Sequence, residues 1–321
     1  MNLTTTPRGP APSLSTRIHR GCAACERIWR LPVPEISFVQ FLADMANPQL
    51  AFLPRALAAA VIAAVLCAVV GCFVVLRGMA FIGDAVAHAV FPGIAVAFAW
   101  QVSVLLGGAV AGAIVAVLIA VMSQRRTIKE DSVIGIVFTA AFAFGLVVIS
   151  RAEGYTASVS SFLFGSLTGV SSATLAIHAA AGALIVAVVV ALRPWLTAVA
   201  LDRETARAMN LPVAALDLAL YLCVTFAVVL AVQTVGNILV VALLITPAAA
   251  ARLFTDKLGA MMCIAAAFGV AGSVMGVWLA WSYDSPTGAT IVLAVTAIFA
   301  LSWLFAPKRG ALAGWLQGVK R

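Results

Sequence analysis

Gly83-Asp84-Ala85-Val86-Ala87-His88-Ala89-Val90-Phe91-Pro92-Gly93 places a carboxylate, an imidazole and a proline at four-residue intervals inside apolar sequence. On a helix those three side chains share one face, with about 6 Å of rise between successive members. Asp84 and His88 can then converge on one ion. Imidazole suits zinc and other transition metals, and the carboxylate adds charge, so the pair points to a divalent cation rather than a neutral solute. Two ligands make an incomplete site, which suits a path that must release its ion. The competing reading is a helix-capping aspartate beside a satisfied bundle histidine. Pro92-Gly93 favours the cation site, because irregular helices at membrane depth tend to line cavities or binding sites.

The elements that must position this pair are membrane helices. The chain has 321 residues, 64% hydrophobic and 10% charged, against about 25% charged in an ordinary soluble domain. Apolar runs of bilayer length recur roughly at 51–75, 84–101, 104–122, 133–150, 172–192, 214–232, 237–253, 259–281 and 287–305, each about long enough to span. The expected fold is all-α, a polytopic bundle of about eight or nine membrane helices. The basic residues behind the net charge of +8 lie in short segments between these runs, a topology signal and not a nucleic-acid face. Arg125, Arg126, Lys129, Arg193, Arg203, Arg207, Arg252, Lys257, Lys308 and Arg309 should be cytoplasmic. Nine spans then leave Arg77 inside and the start of the first span outside.

Residues 1–49 differ in kind and read as a disordered tail, with Met45 as an alternative translation start. A basic tail on the outside violates the charge rule, so either the tail is lost or one span is miscounted. Residues 50–307 form the transmembrane domain and 308–321 a cytoplasmic tail. Of the six cysteines, Cys67, Cys72, Cys223 and Cys263 read as small core residues, and Cys22-x-x-Cys25 lacks the partners of a zinc site.

Other candidates are weaker. His178 is a second intramembrane histidine with no carboxylate one turn away, for which packing outweighs metal binding. Glu153 falls in an outer loop. Gln233-Thr234-Val235-Gly236-Asn237 and Thr246-Pro247 place polar and helix-breaking residues at a membrane segment, lining a path or forming a short external turn. Gly108-x-x-x-Gly112 and Ala85-x-x-x-Ala89-x-x-x-Gly93 allow close helix packing. Asp202 to Pro212 reads as a short charged cytoplasmic helix. No phosphate-binding Gly-x-x-x-x-Gly-Lys-Ser/Thr, His-Glu-x-x-His or Gly-x-Ser-x-Gly occurs, so an enzyme is not expected, and ATP, if used, binds another subunit.

The stretch Val75 to Gly93, with Ser161-Phe162-Leu163-Phe164-Gly165-Ser166, Gln233 to Ala251 and Ser285-Pro286-Thr287-Gly288, resembles the membrane permease subunit of bacterial zinc- and manganese-type ABC transporters from about Phe52 to Leu304. The resemblance implies a homodimer in the bacterial inner membrane, paired cytoplasmic ATPase subunits, and a soluble metal-binding protein outside. It implies that Asp84 and His88 form the metal site in the path, and that Asp202, Arg203, Glu204, Ala206 and Asn210 belong to a coupling helix docking on the ATPase. Asn210 stands where the family more often has Gly, and Asn is the next best residue for a left-handed helix end. The expected function is import of Zn2+, with Mn2+ as the second choice, by alternating access and with no covalently bound cofactor. The alternatives are an ion-gradient-driven carrier acting alone, in which Asp84 and His88 relay protons, and an ABC permease for an iron chelate or vitamin.

Overall fold

The computed structural model describes residues 36–79, 81–100, 102–124, 130–150 and 169–306. Residues 1–35, Arg125 to Lys129, Glu153, the Ser161–Ser166 match, Cys22, Cys25 and the tail at 308–321 lie outside the described residues. The described residues are helical throughout, with short connections. In chain order the α-helices are α1 (Phe38–Met45), α2 (Phe52–Arg77), α3 (Ile82–Ala89), α4 (Phe91–Ala99), α5 (Val104–Ser123), α6 (Glu130–Ile149), α7 (Ser172–Leu201), α8 (Arg203–Ala208), α9 (Val213–Val235), α10 (Asn237–Arg252), α11 (Leu258–Tyr283) and α12 (Thr287–Phe305).

Seven of these are long and apolar enough to cross a bilayer: α2, α5, α6, α7, α9, α11 and α12. The other two apolar runs behave differently. The run at 84–101 is broken into α3 and α4, because Pro92 lacks the N–H that would close on the His88 carbonyl. The run at 237–253 becomes the 16-residue α10, about 24 Å long and shorter than a hydrocarbon core of about 30 Å.

Small residues decide the centre of the bundle. Helix α2, rich in alanine, packs against α7, α9, α10 and α11. Of its most apolar 18-residue stretch 72% is buried, against 17% for α7, so α2 is central and α7 faces outward. At Gly71 an added Cβ would lie 1.8 Å from the Leu244 carbonyl oxygen of α10, and at Gly83 of α3 it would lie 2.6 Å from a Leu244 side-chain methyl. The Gly108/Gly112 stripe of α5 sits against Val90 and against Thr225 and Val229 of α9, as expected of a helix-packing motif.

The expectation of an irregular chain up to residue 49 fails for Phe38–Met45. Phe41 is fully buried, Trp278 Nε1 donates to the Ile36 carbonyl at 3.2 Å, and Trp281 Nε1 donates to Asp44 Oδ2 at 3.0 Å. Distant aromatic residues of α11 thus tie down this short helix and the residues before it.

Gly71→Ala should lower the melting temperature of the detergent-purified protein, by the equivalent of about 1–3 kcal/mol or more, because backbone cannot yield to the new methyl as a side chain can. Gly135→Ala, whose Cβ meets nothing within 4 Å, should hold or raise it by up to about 1 kcal/mol.

Candidate metal site and coupling helix

Helix α3 starts after Phe81, which carries no side-chain cap hydrogen bond. Asp84 therefore lies within the first turn and is not the capping residue, while His88 occupies the last turn. Asp84 Oδ1 and His88 Nε2 are 3.5 Å apart. That is too long for a good hydrogen bond, yet two atoms so separated can each reach one cation at about 2.1 Å. The side chains are 48% and 26% exposed, so the pair is reachable.

The second half of the site comes from the other interrupted helix. Gly236, between α9 and α10, has φ 81° and ψ 162°, a region open essentially to glycine. The chain reverses there inside the protein and not on its outer surface: Asn237 is 3% exposed. The amide Nδ2 of Asn237 lies 3.0 Å from His88 Nε2. In this orientation the amide N–H group of Asn237 faces the ring nitrogen. Among the described residues its buried Oδ1 has no partner, and turning the amide about its last bond would present that oxygen to the same point. The arrangement thus offers a carboxylate oxygen, an imidazole nitrogen and an amide oxygen. Among the described residues no group of three His, Cys, Asp or Glu side chains comes together.

Two aromatic rings of α6 back the imidazole, Phe138 at 5.8 Å and Phe142 at 5.4 Å between ring centroids. Nothing in the sequence marks them out, since they are phenylalanines in an apolar span. Asn237 was visible as a polar residue in a membrane segment, but its approach to His88 was not.

His178 lies elsewhere. It is buried against a small cavity lined by Ala59, Ile62, Ala63, Leu66, Leu230, Ala231 and Thr234. Among the described residues no carboxylate lines that cavity, and the structure does not bring His178 to the Asp84–His88 pair. Pro247 lies within α10 and is buried.

The short charged helix forms as expected. Asp202 caps α8 by accepting from the Glu204 amide at 2.9 Å. The far end closes through Leu211 N to the Ala206 carbonyl at 3.1 Å, with Asn210 left-handed at φ 56°. Asp202, Glu204 and Asn210 are exposed. Ala206, only 1% exposed, is turned into the protein and is not available to a docking partner. Arg203 is also turned inward: its Nη2 lies 2.9 Å from Asp217 Oδ2 and also pairs with Glu130 Oε1. Burial works against its charge, and Asp217 and Glu130 more than offset this, so its pKa stands above the ordinary guanidinium value.

Comparison with known proteins agrees with this architecture. The chain is 40% identical over 269 residues to the manganese transport system membrane protein MntC of Halalkalibacterium halodurans, covering 84% of this chain and 92% of that one. It is 34% identical over 254 residues to the chelated iron transport system membrane protein YfeD of Yersinia pestis, covering 79% and 85%. The solved structure of PsaBC from Streptococcus pneumoniae in complex with Fab matches with a TM-score of 0.76 at 33% identity, over 89% of this chain and 100% of that chain. The sequence profile of the ABC 3 transport family matches residues 49–306, which takes in the interrupted helices, the residues around Asp84 and His88, and α8. The chain belongs to the ABC 3 transport family.

Proposed function

We propose that this chain is the membrane permease of an ATP-driven importer that carries a divalent transition metal into the cytoplasm by alternating access. The observation that carries the reading is the meeting of Asp84, His88 and Asn237 at two helix interruptions, which in membrane proteins accompany substrate sites. Mn2+ is placed ahead of Zn2+. The imidazole argued for zinc, but two of the three donors are oxygens, which suit manganese, and the MntC relative is named for manganese. The transporter works as a homodimer in the inner membrane. Cytoplasmic ATPase subunits dock on Asp202, Glu204 and Asn210 of the α8 segment, and an external metal-binding protein delivers the ion. The seven long helices, the α3–α4 pair and α10 together make nine passes, with the start of α2 outside and α8 inside.

Uptake of radioactive manganese and zinc by cells carrying the permease tests this reading. Asp84→Ala and His88→Ala should each lower manganese uptake at least about tenfold at normal membrane abundance, a loss of the size expected for removing a ligand or its close support. Undiminished uptake in both variants would remove the site. YfeD is named for chelated iron, and passage of a chelate would leave transport indifferent to these two changes. Dependence on the ATPase subunits separates the proposal from a carrier acting alone.

Asn237→Leu should weaken Mn2+ binding to the purified protein by about tenfold or more in an electron paramagnetic resonance titration. Unchanged affinity would make Asn237 a packing residue.

A further inference from the structure

Four charged side chains meet where α2, α6, α8 and α9 converge. Arg77 Nη1 donates to Asp217 Oδ1 at 2.6 Å, and both side chains are nearly buried at 4% and 5% exposure. Arg203 Nη2 donates to the other oxygen, Oδ2, at 2.9 Å and also pairs with Glu130 Oε1. Asp217 therefore has one arginine on each oxygen. A carboxylate this deep is tolerated only with its partners in place.

The membership of this cluster matches the membership of the metal site. Arg77 is the last residue of α2, from which the chain turns through left-handed Gly78 into α3, the helix of Asp84 and His88. Glu130 is the first residue of α6, which lays Phe138 and Phe142 against His88. Asp217 lies in the second turn of α9, whose far end passes through Gly236 to Asn237. Each element that brings side chains to the metal site is thus joined along the chain to a charged residue in the cluster, α3 and α6 at their starts and α10 through the length of α9. The fourth member, Arg203, is the first residue of α8.

We infer that Asp217, with Arg77, Arg203 and Glu130, forms the link through which displacement of α8 repositions the metal site, an inference resting on the proposed reading of an ATP-driven permease with α8 at the ATPase. Physical coupling between distant sites requires an element with two arrangements that both sites bias. The cluster has the means for a second one. Among the described residues, Nε and Nη2 of Arg77 have no acceptor, and Arg77 and Glu130 line the same crevice with Arg203. When α8 draws Arg203 away, Arg77 can take over the carboxylates that Arg203 releases, and α2, α6 and α9 shift relative to one another as it does so. Asp217 is a positioning residue in this scheme and does not touch the ion.

The test uses proteoliposomes holding the whole transporter, permease with its ATPase and binding protein, and reads Mn2+ transported per ATP hydrolysed. Asp217→Asn keeps the volume and removes the charge. Its ATP hydrolysis should stay within about twofold of wild type while Mn2+ moved per ATP falls about tenfold, a coupling change of ordinary size for such a link. Glu130→Gln, at the partly exposed rim of the cluster, should give a smaller fall, about threefold, and decides the matter if Asp217→Asn does not assemble. An unchanged ratio in assembled variants overturns the inference, as does a loss of transport that only tracks a loss of assembled complex. Wild-type transport that needs no ATPase would instead overturn the proposed function, and this link with it.

Discussion

Leu244 occupies a notch cut by two glycines, Gly71 of α2 and Gly83 of α3, and the candidate site depends on that contact. Any side chain at Gly71 would meet the Leu244 backbone, and one at Gly83 would meet its side chain. In lipid the association of helices owes little to hydrophobic burial and much to close packing, so these glycines set the distance between α10 and the other two helices. The residue after Gly83 is Asp84. Two turns before Leu244 on α10 lies Asn237, about 10 Å up the same face. The notch thus fixes the metal-ligand candidates of α3 and α10 relative to each other, and the 3.0 Å contact between His88 and Asn237 is its consequence.

The interrupted backbone imposes a second requirement. Breaking a helix at membrane depth leaves polar groups that lipid cannot satisfy, so the breaks must be enclosed by protein or face a polar cavity. Both interruptions obey this. Pro92 is buried, and Gly236 and Asn237 are buried together. His88, one turn before the first break, and Asn237, just after the second, meet at 3.0 Å in an otherwise apolar bundle.

Much of this was legible before the fold. Seven of the nine apolar runs form helices of spanning length, while the run at 84–101 is split and that at 237–253 is short; Asp84 and His88 share a face because four residues make about one turn, and Asn210 takes the left-handed end that its side chain tolerates. What could not be read is the long-range pairing. His88 and Asn237 are separated by 149 residues and Arg77 and Asp217 by 140, and neither pair has a local period to announce it. In the sequence Arg77 reads only as a charge on the inner side, a reading that charge counting cannot separate from a buried cluster, and Glu130 is not singled out. The contacts that tie helix α1 down escaped for the same reason: they come from Trp278 and Trp281, more than 230 residues away.

The donor set also limits what this site can choose. Nitrogen and oxygen ligands generally bind Zn2+ more tightly than Mn2+ by the ordinary order of divalent stabilities, even where oxygen donors suit manganese, unless the protein imposes a geometry. A site of one carboxylate, one imidazole and one amide has too few fixed ligands to reverse that order by enforcing a coordination number. It is, however, open enough to let an ion leave, which a closed tetrahedral cage is not. A permease that passes manganese through such a site cannot select it there by equilibrium affinity, so the discrimination has to be made before the ion reaches Asp84. On the proposed function, the same looseness that serves release assigns selectivity to delivery, and leaves the permease the task of changing which side of the membrane the three donors face.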